Sequence, residues 1–426
     1  MKIAFYLDDV KKGIDYSHPD SANPGIGGTQ FLIWELSYYM SKYSSNEITL
    51  FVPRSANFNE DINTIVVSNI MECLLACKEH LIDYLIIRGP SIPKRIIDIA
   101  EKESIKLITW SHNFEAYSNI YLSLKSDSVK RNICVSNEQL DLLLDTDIYY
   151  KSRYIHNGIS FKDFDSIKIK KVKNRIVYIG NLYPNSGFKQ IAKAWTKIKK
   201  QIPDAELFII GGNNLYNTSN FNSEYSKKTY NHFNKIIKKH LYNGNIPKKG
   251  VYFKGVLGGK EKLEIMASAS IGVGNITDAG ETFGLSVVEF EALGVPVVSI
   301  NYRGIRETVI NKKTGILVEK ANKLSNAIIY LLKHDEIRDN YGKNAKYFVR
   351  RNFDILNIVS DWDEMLKSID KSERIKEKRS RFNYDGKRKI YYNYKIRKFL
   401  KFIPPISFYR YLRYGFFRLL SKLNII

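Results

Sequence analysis

The chain alternates short apolar runs with longer amphipathic segments, and it does so in two successive series. The first series runs from KIAFYLDD to YIHNGI, and the second runs from RIVYIGN to GILVE. Short apolar runs that alternate with helical segments predict βαβ units and a parallel, doubly wound sheet. A length of 426 residues exceeds one ordinary core, so the two series predict two α/β domains.

The predicted boundaries follow from where each series ends. They are an N-terminal Rossmann-like domain over 1–165, a C-terminal one over 172–350, a closing helix over 351–370 that crosses back to the first domain, and a basic tail over 371–426. Ligands of open α/β sheets bind beyond the carboxyl ends of the strands. We therefore expect the two domains to face each other across a cleft that holds the functional site.

Cysteine usage indicates a reducing compartment, and hydropathy indicates a chain without a membrane span. Cys73, Cys77 and Cys134 are odd in number and lack the spacing of a disulfide framework or a zinc site, so we expect reduced core residues. The N-terminus does not resemble a secretory signal, and no run approaches the roughly 18 apolar residues of a membrane span. A cytoplasmic protein, soluble or peripheral on a membrane, is expected.

Two glutamates flank a predicted helix start in the run ETFGLSVVEFEALGVPVVSI. Glu281 precedes Gly284, Glu289 follows it, Gly294 stands where the helix should end, and Pro296 opens an apolar strand. A helix N-terminus favours phosphate, and carboxylates accept hydrogen bonds from sugar hydroxyls. The pattern favours a nucleotide-sugar site. The alternative is a solvated Glu289 and a Glu281 that is merely an N-terminal helix carboxylate.

An ordered set of motifs resembles glycosyltransferase family 4, also called group 1, whose members are retaining enzymes with the GT-B fold. The motifs are GIGGTQ, SHN, IHNGI, IVYIGNLYPNSGF, ELFIIGG, FKGVLG, ETFGLSVVEFEALGVPVVS and RETVINKKTGILV. They span nearly all of residues 1–360. The resemblance implies a hexosyltransferase that moves a sugar from a nucleotide donor to a lipid-linked or growing saccharide in capsule or lipopolysaccharide synthesis.

The resemblance also implies roles for individual residues. Glu281 would meet hydroxyls of the donor sugar, and Glu289 would meet the ribose diol. Residues whose backbone would approach the sugar and diphosphate are Thr282, Phe283, Gly284 and Leu285. Residues of the loop that would bracket the nucleobase through backbone groups are Gly255, Val256 and Leu257.

Two further sites are predicted in the first domain. Gly27 and Gly28 precede a periodic helix, where backbone N–H groups can approach a ligand. The resemblance implies that this ligand is the donor or the acceptor, although such glycines also serve tight turns. His112 ends an apolar strand, and the resemblance implies that it helps hold the sugar and developing charge; a lone histidine there can also be structural. The pair Asn157 and Gly158 predicts a left-handed turn.

Gly180, which closes the strand RIVYIG, and Asn181 are candidate donor-binding residues. The sequence departs from the family pattern after Gly180. The family places an arginine and a lysine where this chain has Asn181 and Ser186, and those cations neutralise the diphosphate. Lys189 or Arg303 could supply the charge instead. The departure also supports a competing hypothesis, a non-catalytic nucleotide- or saccharide-binding protein on the same fold.

For the reaction, the resemblance implies front-face substitution without a metal. No paired carboxylates could be placed at a separation suited to double displacement, and Asp8 and Asp9 stand at a strand end in the wrong place for a metal motif. No cofactor is expected. The donor is expected to be a substrate linked to UDP.

The tail over 371–426 carries 17 Lys and Arg against three acidic residues, together with 13 aromatic residues. As a helix, FYRYLRYGFFRLLSKL would place Leu412, Phe416, Leu419, Leu420 and Leu423 on one face and Arg410, Arg418 and Lys422 on another. Such a helix favours an anionic membrane surface, here the inner face of the cell membrane. One alternative is that the tail packs back on the enzyme, and another is that it binds single-stranded nucleic acid. Nucleic-acid binding is not expected, because the excess charge is concentrated in the tail.

Overall fold

The computed structural model describes residues 1–426 except 90–91, 115–116, 185, 213–223, 275, 277–280, 371–384, 401–402, 407 and 410–426. The chain forms two compact units. The N-terminal unit consists of Met1–Asp20, Gly27–Gly158 and Ile355–Ile426, and the C-terminal unit consists of Ser21–Ile26 and Ile159–Asp354.

The N-terminal unit is built on seven parallel strands in the order β3-β2-β1-β4-β5-β6-β7. The strands are β1 (Lys2–Tyr6), β2 (Glu47–Val52), β3 (Asn63–Val66), β4 (Tyr84–Gly89), β5 (Leu107–Ser111), β6 (Val129–Cys134) and β7 (Ser152–Tyr154). The helices of this unit before the crossover are α1 (Gly28–Tyr43), α2 (Ile70–Glu79), α3 (Lys94–Lys102), α4 (Tyr117–Lys125), α5 (Asn137–Asp141) and a 3₁₀ helix (Asp147–Lys151).

The apolar composition of these strands reflects burial on both faces of the sheet. Every residue of β5, LITWS, is buried. Parallel sheets are covered by crossover helices, which is why their strands are continuously apolar. At the start of α2 the Asn69 side chain accepts hydrogen bonds from the backbone N–H groups of Met71 and Glu72, which satisfies donors that a helix N-terminus leaves free.

The chain returns to the N-terminal unit through α14 (Ile355–Asp370). Trp362 of this helix is fully buried, and its ring lies 6.3 Å from that of Phe5 and 5.1 Å from that of Trp110. Asp363 accepts hydrogen bonds from the side chains of Ser44 and Asn46 at 2.7 and 2.9 Å. Helix α14 thus completes the core of the N-terminal unit.

The predicted helical tail is present as α15 (Asp385–Phe399). Ile390 and Tyr394 are buried, and Asn393 Nδ2 donates to Asp145 Oδ2 at 2.8 Å. Lys387 lies 3.7 Å from Asp141. One face of α15 therefore packs on the N-terminal unit, in agreement with the alternative that the tail packs back on the enzyme. The predicted amphipathic stretch from Arg410 to Leu423 lies outside the described residues.

The C-terminal unit contains six parallel strands in the order β12-β9-β8-β13-β14-β15 and a small antiparallel hairpin, β10-β11. The strands are β8 (Arg175–Ile179), β9 (Glu206–Ile210), β10 (Tyr242–Asn243), β11 (Ile246–Pro247), β12 (Val251–Gly255), β13 (Ile271–Val273), β14 (Val297–Ile300) and β15 (Gly315–Val318). The helices are α6 (Lys162–Ser166), α7 (Phe188–Gln201), α8 (Glu224–Leu241), α9 (Gly259–Ala267), α10 (Leu285–Ala292), α11 (Ile305–Thr308), a 3₁₀ helix (Ala321–Lys323), α12 (Leu324–Lys333) and α13 (Asp335–Phe353).

The core of this unit lies between the sheet and α7, α8 and α12. Trp195 and Phe188 of α7 are fully buried in it. The predicted doubly wound fold class is confirmed in both units. All three cysteines are free and buried, as expected. None of the helices in the described ranges is both long and apolar enough to cross a membrane.

Candidate functional site

The loops that follow the strands of the C-terminal unit emerge at one edge of its sheet, because parallel strands all end on the same side. Backbone hydrogen bonds join neighbouring loops: Gly180 N–H donates to Ile210 O at 3.1 Å, and Gly211 N–H donates to Gly255 O at 2.8 Å. A Cβ at Gly211 would lie 1.9 Å from Gly180 O. The predicted residues Gly180 and Gly255 therefore lie on one contiguous loop surface.

Glu281 holds the loop that leads into α10. Its Oε1 accepts a hydrogen bond from the Gly284 N–H at 3.0 Å. Gly284 is the N-cap residue with φ +85°, a left-handed conformation that glycine adopts without a Cβ penalty. Thr282 and Phe283 are buried, and Leu285 is the first helical residue. The carboxylate thus lies at a helix N-terminus, where the sequence placed it.

A second turn packs against this loop. Gly304 N–H donates to Glu281 O at 3.1 Å, and a Cβ at Gly304 would lie 1.9 Å from Thr282 O. The neighbouring Arg303 has φ +55°, which is uncommon for a residue with a side chain, and its guanidinium lies 4.8 Å from the centre of the Tyr302 ring. One of the two cations proposed for the diphosphate is thus carried by a turn that contacts the Glu281 loop.

Glu289 forms a buried ion pair with Lys262. Lys262 Nζ donates to Glu289 Oε1 at 2.6 Å, and the two side chains are only 8% and 6% exposed. The alternative of a solvated Glu289 is therefore wrong. Lys262 was not predicted, although a signal was available: it lies with Leu263, Met266 and Ala267 on the buried face of α9, where a lysine is unusual.

Ser186 has a structural role in the loop after β8. Its Oγ donates to Tyr183 O at 2.8 Å, and its carbonyl accepts from the buried Tyr178 hydroxyl at 3.2 Å. Asn181 is exposed, and Lys189 lies half-buried in the first turn of α7. The serine therefore closes the turn before α7 through a local hydrogen bond, at the position where the resemblance implied a lysine.

The loop after β12 carries the three residues predicted to bracket a base. Gly255 has φ +71° and is exposed, Val256 is exposed, and Leu257 is half-buried. The segment Ser21–Ile26 packs beside this loop, which the sequence did not suggest. Gly259 N–H donates to Asn23 O at 2.7 Å, and a Cβ at Gly258 would lie 2.1 Å from the Pro24 carbonyl carbon. Only a glycine at 258 allows this approach.

In the N-terminal unit, the predicted glycines begin α1. Gly27 is the N-cap and Gly28 is the first helical residue, and both stand at the carboxyl edge of the sheet after β1. Gln30 Nε2 donates to Asp8 Oδ1 at 3.0 Å, and Arg88 pairs with Asp8 at 2.9 Å. Asp8 is thus engaged by a helix and a strand. Across the described ranges, no three His, Cys, Asp or Glu side chains group as metal ligands would.

His112 follows β5 and is buried. Burial, helped by the nearby Arg88 charge, lowers the pKa of His112 to about 3, although hydrogen bonds with the Asn157 side chain and the Trp110 backbone act in the opposite direction. The imidazole is therefore neutral near pH 7. Gln139 Nε2 donates to Ser111 O and Asn113 O, each at 2.8 Å, which holds the backbone on both sides of the histidine.

The predicted left-handed turn at Asn157 and Gly158 is wrong, because neither residue has a positive φ. A Cβ at Gly158 would lie 2.9 Å from the Ile355 Cα and from the Ile358 side chain. The glycine is needed for close packing against α14 instead. Asn157 is buried, and its side chain hydrogen-bonds with His112.

Each of the two units is a parallel sheet covered by helices, with its loops at the carboxyl edge, and similarity to solved structures identifies this architecture as the GT-B fold. Solved structures with this fold are similar to the chain. The HepE protein of Anabaena, determined in complex with UDP and glucose, aligns with a TM-score of 0.63 and 16% identity, over 86% of this chain and 100% of that one.

The match to a protein-family model lies in the C-terminal unit. Residues 160–348 match the model of the family described as glycosyl transferases group 1. An uncharacterized glycosyltransferase of Methanocaldococcus jannaschii is 26% identical over 226 residues, covering 50% of this chain and 52% of that protein. The capsular polysaccharide biosynthesis glycosyltransferase CapM of Staphylococcus aureus is 24% identical over 251 residues, covering 56% and 58%. The chain spans about half the length of the curated relatives it matches.

Proposed function

We propose that the protein is a retaining glycosyltransferase that transfers a hexose from a nucleotide sugar to a lipid-linked or growing saccharide. The observation that carries the proposal is the pair of glutamates around the α10 N-terminus, within the stretch that matches group 1 glycosyltransferases. Glu281 lies in the loop that precedes the helix, and Glu289 lies on the helix itself. One helix start thus presents a phosphate-binding end and two carboxylates.

The proposed reaction is substitution on one face of the sugar. The bond between the anomeric carbon and the diphosphate oxygen breaks, and the departing diphosphate keeps that oxygen and the electron pair. The acceptor hydroxyl forms the new bond to the anomeric carbon from the same face, while its proton passes to the leaving phosphate. The N–H groups in the first turn of α10 and the positive end of that helix would offset the charge that develops on the diphosphate. The protein would act without a metal ion, and Glu281 would orient the sugar hydroxyls.

The donor is proposed to be linked to UDP. The support is that the structurally similar HepE was determined with UDP and glucose. In this chain Glu289 would accept hydrogen bonds from the ribose, and the backbone of Gly255, Val256 and Leu257 would lie beside the base. Lys189 and Arg303 are the proposed cations for the diphosphate. Gly27, Gly28 and His112 in the N-terminal unit stay predictions for donor contact.

Transfer from a panel of UDP-, GDP- and dTDP-linked hexoses, followed by product analysis, tests this proposal. Wild type should transfer from a UDP donor and keep the anomeric configuration, as seen in the coupling constant of the anomeric proton. Glu281→Ala should lower kcat/KM by at least about 100-fold, since it removes a positioned charged contact. Glu261→Ala, on the exposed side of α9, is the matched control and should retain activity.

The acceptor is proposed to be presented at the inner face of the cell membrane, in capsule or other cell-surface polysaccharide synthesis. Similarity to CapM supports the pathway. The outward face of α15 supports the location: it exposes Arg388, Lys389, Tyr392, Lys395, Ile396 and Phe399. Exposed aromatic and basic side chains on one helix face suit an anionic bilayer interface.

Sedimentation with lipid vesicles tests this location. The full chain should bind vesicles that contain phosphatidylglycerol and leave vesicles of phosphatidylcholine alone. The double change Tyr392→Glu and Phe399→Glu should weaken binding, while Tyr347→Glu, an equally exposed site on α13, should not. Equal binding by all three proteins would remove α15 from the proposal.

The competing function is a non-catalytic nucleotide- or saccharide-binding protein. Asn181 and Ser186 favour it, because the family's two cations are absent and Ser186 is engaged in closing a turn. Nucleotide binding without transfer or donor hydrolysis across the whole panel would select this alternative.

A further inference from the structure

The cation that faces Glu289 is a lysine from a different helix. We propose that Lys262 is a positioning residue that fixes the Glu289 carboxylate for the ribose hydroxyls of a bound nucleotide. This inference rests on the proposed function, since it presupposes that a nucleotide binds here. It adds a residue that neither the glutamate motif nor the family resemblance supplies.

The geometry of the pair is that of a strong, directed contact. Lys262 Nζ and Glu289 Oε1 are 2.6 Å apart, and both side chains are withdrawn from water. Charge-assisted hydrogen bonds are shorter and stronger than neutral ones. Because Lys262 engages Oε1 alone, the carboxylate is held in one orientation. In the described part of the chain Oε2 accepts no hydrogen bond from protein, so it can accept from a ligand hydroxyl.

Stability does not explain why a lysine occupies this position. Burying two charges carries a desolvation penalty of several kcal/mol per ion, and apolar replacements of a buried pair are often neutral or stabilising. The neighbours of Lys262 on the buried face of α9 are Leu263 and Met266, which an apolar side chain would match. Lys262 also lies in the first turn of its helix, where a cation meets the positive end of the helix dipole.

The position of Lys262 along the chain connects two parts of the proposed nucleotide site. It lies one helical turn after Gly258, at the end of the loop of Gly255, Val256 and Leu257 that is proposed to face the base. Glu289 lies five residues after Gly284, and Gly284 stands at the end of the loop proposed to face the sugar and diphosphate. The ion pair therefore ties the base loop to the carboxylate that would contact the ribose.

Titration of nucleotides into the full-length protein tests the role directly. UDP and 2′-deoxy-UDP are compared, with GDP and 2′-deoxy-GDP as a second pair, by calorimetry. One hydrogen bond to a charged group contributes about 1.5 to 3 kcal/mol, so wild type should prefer the ribonucleotide by roughly 10- to 150-fold. Lys262→Met should lose most of this preference by weakening the ribonucleotide, with the deoxynucleotide affinity nearly unchanged.

Three further variants separate positioning from folding. Glu289→Gln should lose the preference, and adding Lys262→Met to it should cause no further loss, because both changes remove the same contact. Lys262→Arg should retain part of the preference. Lys260→Met, on the exposed side of the same helix, should behave as wild type. If Lys262→Met does not fold, the inference still requires Lys262→Arg to keep a preference that Glu289→Gln abolishes.

An unchanged preference for the ribonucleotide in Lys262→Met would overturn this inference and leave the proposed function standing. So would an equal loss of affinity for both members of a pair, which would indicate a general structural role. Absence of nucleotide binding by wild type would overturn the proposed function itself, and this inference with it.

Discussion

A single methyl group at Gly304 should disable the Glu281 loop. Gly304 has φ −56° and ψ −19°, which alanine adopts readily, so any effect of Gly304→Ala must come from steric overlap. Its Cβ would lie 1.9 Å from the Thr282 carbonyl oxygen and 2.7 Å from Phe283 N. Ordinary contacts begin near 3.5 Å, so the two segments would have to separate by about 1.5 Å.

This separation has a cost in both stability and activity. Overpacking of this kind costs about 1 to 3 kcal/mol, and loss of the hydrogen bond from Gly304 N–H to Glu281 O adds about 1 kcal/mol. Unfolding in urea, followed by circular dichroism, should show a loss of about 2 to 4 kcal/mol. Because the shift moves the backbone beside Glu281, kcat/KM for the donor should fall by about 100-fold.

Gly244→Ala is the control for a glycine that is replaced without overlap. Gly244 has φ +63° in the turn between β10 and β11, and nothing lies within 4 Å of its added Cβ. This variant should lose about 1 to 2 kcal/mol through backbone strain and keep its donor kinetics. The reasoning is refuted if Gly304→Ala has wild-type stability and wild-type kcat/KM, since the contact would then not hold the loop.

Three further predictions concern buried groups. Burial raises the pKa of Glu291 well above its usual range, even though Thr314 Oγ1 donates to it at 2.8 Å. The contribution of this carboxyl to the free energy of unfolding is therefore fully present below the pKa of an unfolded glutamate and is lost as pH rises towards the folded pKa. In urea unfolding at several pH values, Glu291→Gln should be more stable than wild type near pH 7 and should lack this loss. Because the pKa of His112 is lowered to about 3, His112 should not titrate between pH 5 and 9, and wild type and His112→Asn should show the same ionisations in their profiles of kcat/KM against pH. An ionisation near pH 6.5 that is present in wild type and lost in His112→Asn would contradict the neutral state of the histidine. Trp362→Ala should destabilise the N-terminal unit by about 3 to 5 kcal/mol, because it empties a fully buried site between Phe5 and Trp110. A loss of stability below about 1 kcal/mol would show that α14 is not part of this core.

The sequence predicted features that depend on local pattern. Strands buried on both faces are mostly apolar, which is why β5 and β8 could be located without a structure. Glycines at helix ends were also located correctly: Gly284 and Gly294 have φ of +85° and +67°. At Asn157 and Gly158 the same reasoning was wrong, because that glycine is required by packing against a helix about 200 residues later.

Partners that are distant in the sequence could not be predicted in this way. Lys262 and Glu289 are 27 residues apart on different helices, and Asn23 meets Gly259 across more than half of the chain. No local period links such positions. A buried lysine on an apolar helix face was the one visible sign, and it does not name the partner.

By itself, the sequence determined two doubly wound α/β domains and a pair of glutamates at a helix start, because periodicity and helix-end chemistry act over a few residues. The tertiary structure alone decided that Glu289 is buried against Lys262, that Ser186 closes a turn, that Ser21–Ile26 packs beside the loop after β12, and that α15 packs one face on the N-terminal unit. These outcomes depend on which surfaces meet when the sheets are covered, and the free energy of burial is set by those long-range contacts.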